Sequence, residues 1–114
     1  MSDTTPTLWH YTCQHAHDKI TDTLRPGLDG FVWLTDLDAP YMQALGLTRY
    51  LLACDRTAHR YRVTDTRDVM PYVTIRSTLD TLRRVGLEVD GTLPRHWYVS
   101  TTHVPVVYDP RGKP

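Results

Sequence analysis

Apolar and polar residues along this chain fall into short runs, and most of the runs have the two-residue period of strands. The opening run, Leu8-Trp9-His10-Tyr11-Thr12, is aromatic and β-branched and predicts a strand reaching Cys13. Ala16, Ile20 and Leu24 recur every four residues, so His15 to Leu24 predicts a helix with one apolar face. Pro26, Gly27 and Gly30 stop it and supply a turn. Phe31-Val32-Trp33-Leu34-Thr35 is a short apolar run between Gly30 and Asp36, which predicts a buried strand. Asp36 or Asp38 then suits the cap of a second helix, with Pro40 near its first turn. That helix would turn Tyr41, Ala44 and Leu45 inward and end near Gly46.

The second half carries more strand than helix. Tyr50 to Cys54 and His59 to Thr64 predict strands, the second with His59, Tyr61 and Val63 on one face and Arg60, Arg62 and Thr64 on the other. Val69 to Ile75 predicts another extended piece. Ser77 to Val85 predicts a short helix capped by Ser77, with Leu79 and Leu82 inward and Gly86 ending it. His96 to Ser100 and Val104 to Tyr108 predict closing strands. Strand, helix, strand, helix and then mostly strands is an α+β order rather than a doubly wound one. The expected organisation is a flexible leader over residues 1–7, one domain over 8–109 and a disordered tail over 110–114.

Composition narrows the partners only slightly. A chain of 114 residues, 40% hydrophobic and 23% charged, is in the range of an ordinary soluble domain with a core of its own. Basic and acidic residues balance at 13 each, so net charge gives no push toward nucleic acid or a membrane. Eleven of the 13 basic residues are Arg, and Glu88 is the only Glu among the 13 acidic ones. Arg grips phosphate with a planar fork, so this bias keeps a phosphate-bearing ligand open. The two cysteines, Cys13 and Cys54, form no paired zinc or disulfide spacing. The polar N-terminus and the lack of a long apolar run predict a cytoplasmic protein with neither signal peptide nor membrane span.

Three segments together resemble the core of the ADP-ribosyltransferase superfamily. They are His10-Tyr11-Thr12 on the opening strand, Leu24-Arg25-Pro26-Gly27-Leu28 leading into Val32-Trp33-Leu34-Thr35, and Trp97-Tyr98-Val99-Ser100 running on to Val104-Pro105. They cover somewhat under half of the chain. The resemblance implies a small split β-sheet with two or three short helices, and NAD as the ligand. It implies that His10 bonds the ribose of the nicotinamide half and that backbone groups at Tyr11 hold the nicotinamide amide. Thr12 would support the strand or touch ribose, with Thr35 closing the second strand beside the ligand and Tyr41 stacking on nicotinamide. The implied acceptor of ADP-ribose is a macromolecule, either protein or nucleic acid, as in a toxin or a phage-encoded modifier.

The sequence departs from the superfamily at one position. Its transferases carry Glu on the last core strand, where this chain has Trp97 preceded by His96. Either Glu88 enters by an irregular connection, or the role has passed to other residues, or transfer is absent. The related RNA 2′-phosphotransferases work with Arg and His, and Arg56, His59, Arg62 and His96 could form such a phosphate-gripping set. A catalytically inactive binding scaffold of the same fold is the third alternative.

The remaining polar clusters have plainer readings. Cys13-x-His15-x-His17 diverges if it enters a helix, and no metal site is expected there. The stretch from Asp55 to Arg60 predicts a solvated hairpin turn, with Arg60 and Arg62 pairing with Asp side chains. Trp33 and Trp97 are expected in the core, Arg83 and Arg84 at a helix end, and His103 in an exposed turn.

Overall fold

Aromatic and β-branched residues at alternate positions do form the strands, and these assemble one antiparallel sheet. The computed structural model describes residues 6–27, 29–38, 58–89 and 91–109. Strand β1 (Trp9–Thr12) is followed by a single helical turn, α1 (Gln14–His17), then by β2 (Thr23–Leu24) and β3 (Val32–Thr35). Strands β4 (His59–Val63) and β5 (Met70–Pro71) come next, then helices α2 (Tyr72–Arg76) and α3 (Thr81–Leu87). A 3-10 turn at Pro94–His96 leads into β6 (Trp97–Ser100), and β7 (Val104–Tyr108) closes the fold. The seven strands lie in the order β2-β7-β4-β1-β3-β6-β5, every pairing antiparallel. The architecture is α+β, as the sequence predicts.

The central neighbours of β1 are unequal. On one side all four of its residues pair with β4, from Trp9 opposite Arg62 to Thr12 opposite His59. On the other side, pairing with β3 is confined to Trp9 opposite Thr35. Strand β3, in turn, is fully paired with β6, from Val32 opposite Ser100 to Thr35 opposite Trp97. The sheet is therefore continuous in name but divided between β1 and β3.

Side-chain alternation gives each face its own core. Leu8, Leu24, Val32, Leu34, Tyr61, Val63, Val104 and Val106 pack on one face. Tyr72, Ile75, Leu79, Trp97 and Val99 pack on the other, with Phe31, Trp33, Met70 and Leu87 against them. Neighbours such as Trp33 and Leu34 thus serve different clusters, as the strand period requires. Each buried aliphatic or aromatic side chain of this kind contributes on the order of 1.5–3 kcal/mol. Trp97 is core, as expected, at 5% exposure.

The helices differ from the expectation. The helix predicted over His15 to Leu24 ends at His17, and Thr23–Leu24 is instead a strand paired with β7. Thr21, Asp22 and Thr23 explain the break, since both threonine hydroxyls donate to the Asp22 carboxylate and such residues are poor helix formers. The four-residue repeat was a burial pattern, with Ile20 and Leu24 reaching the same core from irregular chain and strand. Of the helix predicted over Ser77 to Val85 only the part from Thr81 is helical, as α3; Ser77 is the C-terminal cap of α2 instead, and Asp80 caps α3 by accepting from the Arg83 amide at 2.8 Å. Gly86 lies inside α3, and Leu82 is 85% exposed rather than inward. Only Met70 and Pro71 of the predicted Val69 to Ile75 run are extended. The second helix after β3, the Tyr50 to Cys54 strand, the disordered tail and most of the leader lie outside the described residues.

Candidate functional site

The division of the sheet is also where the chain places His10. The Leu8 carbonyl accepts from the Val63 amide at 2.9 Å and so points toward β4. Antiparallel alternation then directs the backbone groups of His10 toward β4, and those of Trp9 and Tyr11 toward β3 and the division. The His10 side chain lies on the face of Leu8 and Tyr61 and reaches across to β3. Its Nδ1 lies 2.8 Å from the Trp33 carbonyl oxygen. A carbonyl only accepts, so Nδ1 carries the proton and Nε2 keeps its lone pair. Burial pushes the His10 pKa down, partly offset by the bond to Trp33, so the ring is neutral at neutral pH. No protein group among the described residues bonds Nε2, which leaves an acceptor beside the division.

The other residues expected at the ligand are structural to different degrees. Tyr11 is 9% exposed, and its hydroxyl donates to the Leu37 carbonyl at 3.0 Å. The Thr35 hydroxyl accepts from the Leu37 amide at 3.1 Å, so Tyr11 and Thr35 brace the same bend. Thr12 is buried. The Trp33 indole donates to Asp29 at 2.7 Å, and its ring packs edge-on against Trp97. Tyr41 and Arg56 lie outside the described residues.

His96 stands immediately before β6 and Asp36 immediately after β3. The His96 Nδ1 and an Asp36 carboxylate oxygen are 2.6 Å apart. The Tyr98 hydroxyl approaches the second carboxylate oxygen at 3.4 Å, and burial, aided by the Asp36 charge, raises the Tyr98 pKa. Both members of the pair are partly open to solvent, with side-chain exposures of 26% for His96 and 23% for Asp36.

Glu88 is committed elsewhere. It follows α3, where one carboxylate oxygen accepts from the Tyr72 hydroxyl and from Arg76 Nε, both at 2.7 Å. The Arg76 bond holds the Glu88 pKa below the usual carboxylate range, and burial with the Glu88 bond pushes Tyr72 up to about 12. The arginines on β4 are engaged too. Arg60 is 8% exposed, lies over the Trp9 ring, and bonds the Asp109 and Asp38 carbonyls and the Asp109 carboxylate. Arg62 holds the other Asp109 oxygen at 3.1 Å. The expected pairing of these arginines with Asp residues is present, although Arg60 is buried rather than a surface residue.

One cluster was missed from the sequence. The His17 and His59 rings stack at 3.8 Å between centroids and 6° between planes. His17 Nδ1 meets the Tyr61 hydroxyl at 2.5 Å, and His59 Nδ1 meets the Tyr108 hydroxyl at 2.8 Å. His59 Nε2 lies 2.7 Å from Gln14 Oε1, while the Gln14 amide nitrogen donates to Asp18. Because Gln14 Oε1 only accepts, His59 carries its proton on Nε2 and accepts from Tyr108 at Nδ1. The alternation of His59 and Tyr61 was legible, but His17 was assigned to a longer helix and its partner could not be named. Comparison of the chain with known family models, curated proteins and solved structures finds no match in any of the three.

Proposed function

We propose that this domain binds NAD along the division between β1 and β3 and transfers ADP-ribose to a macromolecular acceptor. The carrying observation is His10: a neutral imidazole at the division, oriented by the Trp33 carbonyl, with Nε2 left to accept a hydrogen bond. A ribose hydroxyl is a donor of the right kind for that atom. The main strands of the three segments that resemble the superfamily core, β1, β3 and β6, are consecutive in the sheet, while Leu24 and Val104-Pro105 at their ends lie on the paired strands β2 and β7. Backbone groups of Tyr11 lie along the same edge, suited to the nicotinamide amide. Buried Thr12 supports the strand. NAD supplies the ribosyl–nicotinamide bond whose cleavage drives transfer. The chain's own residues orient the ribose, a role that geometry and fixed dipoles can fill.

The phosphate-handling alternative has less behind it, because Arg62 is paired with Asp109 and His59 is bonded to Gln14 and Tyr108. Thermal unfolding and calorimetry with NAD test the main reading. Saturable stabilisation is expected, about 2.7 kcal/mol when ligand reaches a hundred times Kd. It should be lost in His10→Ala, with the circular dichroism spectrum retained. Absence of any stabilisation at millimolar NAD would overturn the reading, and binding without turnover would identify an inactive scaffold.

A further inference from the structure

The geometry points to Asp36 and His96 as the acid–base pair of the transfer step, with His96 Nε2 receiving the proton of the attacking acceptor. We infer this on the basis of the NAD reading above, and it supplies the group that the absent Glu leaves unassigned.

The first support is the hydrogen-bond accounting. An ionised carboxylate only accepts, so the 2.6 Å contact requires the proton on His96 Nδ1 and leaves Nε2 unprotonated when the imidazole is neutral. No protein group among the described residues bonds Nε2, and the ring is partly open to solvent.

The second support is position. The complete β3–β6 ladder ends with Thr35 opposite Trp97, so Asp36 and His96 are the next facing pair. The Asp36 amide also donates to the His96 carbonyl at 3.3 Å, which locks that pair. The Tyr98 hydroxyl, 3.4 Å from Asp36, places the pair at the end of the ladder on the side of Tyr98 and Leu34, the face that His10 also takes by alternation with Leu8, and opposite to Trp33 and Trp97. Strand β6 stands two strand spacings from β1, about 10 Å. A ribose held by His10 would lie on the same face as the imidazole, across β3. Trp97 occupies the position where the resemblance places Glu, yet its side chain belongs to the opposite core. The neighbouring residue, His96, is the one turned to the His10 face.

The chemistry balances with the groups named. An acceptor hydroxyl, or water, forms the bond to the ribosyl C1′ carbon. The bond from C1′ to the nicotinamide nitrogen breaks, its electron pair leaving with neutral nicotinamide. The hydroxyl proton passes to His96 Nε2 and then to solvent. Asp36 touches no reacting atom and is a positioning residue, fixing ring orientation and tautomer.

The test uses the full chain with water as acceptor. Nicotinamide release is followed between pH 5 and pH 8.5, with NAD affinity by calorimetry and the His96 tautomer by ¹⁵N NMR. The expected His96→Gln result is a kcat lowered by roughly 10²–10⁴-fold, the usual contribution of a general base, with NAD affinity changed less than about threefold. Asp36→Asn should lower kcat and move the His96 proton toward Nε2. A purely structural pairing would leave the rate unmoved when the tautomer changes. NAD binding with nicotinamide release indifferent to His96→Gln, or with no release by the wild type, would overturn the assignment while leaving the binding reading intact. Failure of the wild type to bind NAD would overturn both.

Discussion

His10 combines a hydrogen bond that orients it with a burial that discharges it, and the two effects are separable by pH. Its pKa in the folded chain lies below the ordinary 6.5, because burial outweighs the bond to Trp33. Above pH 6.5 neither state is protonated, and its contribution to stability is fully present. As pH falls below 6.5 the unfolded chain takes up the proton first, so stability is lost until the folded pKa is passed. Chemical denaturation between pH 7.5 and pH 5 should therefore show a declining free energy whose His10 component disappears in His10→Gln. An unchanged slope in that variant would contradict the burial of this ring. The residue was legible from its place in an aromatic strand. Asp36 as partner of His96 was not, because the two are separated by 60 positions and only the β3–β6 ladder brings them together.

At the scale of elements, strands were read more reliably than helices, for a physical reason. A strand of four or five residues repeats its two-residue period enough to be recognised, as β3 and β6 do. The described helices are four, five and seven residues long, too short for a helical period to outweigh a chance one. Leu82 shows the consequence: the pattern turned it inward, yet α3 begins at Thr81 and leaves it 85% exposed. Leu82→Gln should change stability by no more than about 0.5 kcal/mol, the range of an ordinary surface substitution. Leu79→Ala, at a site 8% exposed, should cost about 2–4 kcal/mol in the same denaturation experiment. The single turn α1 likewise cannot persist by helix propensity alone. It is tied down by Gln14 on His59 and by His17 on Tyr61. Tyr61→Phe should speed amide exchange at His17 and Asp18, whose bonds to the Cys13 and Gln14 carbonyls form the turn, while leaving β6 amides unaffected.

The described residues form two cores on opposite faces of one sheet, and no described helix is long and apolar enough to cross a membrane. The α+β class was legible from element order alone. Nothing in the alternation of Leu8 to Thr12 says that one flank pairs at four positions and the other at one. That inequality has a mechanical meaning. Most strand joints in this molecule are held by several rungs, whereas the joint between β1 and β3 has a single rung and the His10 bond beside it. Bending is therefore easiest along that line, which makes it a crease. Whatever wedges into a crease stiffens both leaves at once, so occupancy there would be felt as slower breathing in β4 and β6 together, elements that never touch the same ligand atom.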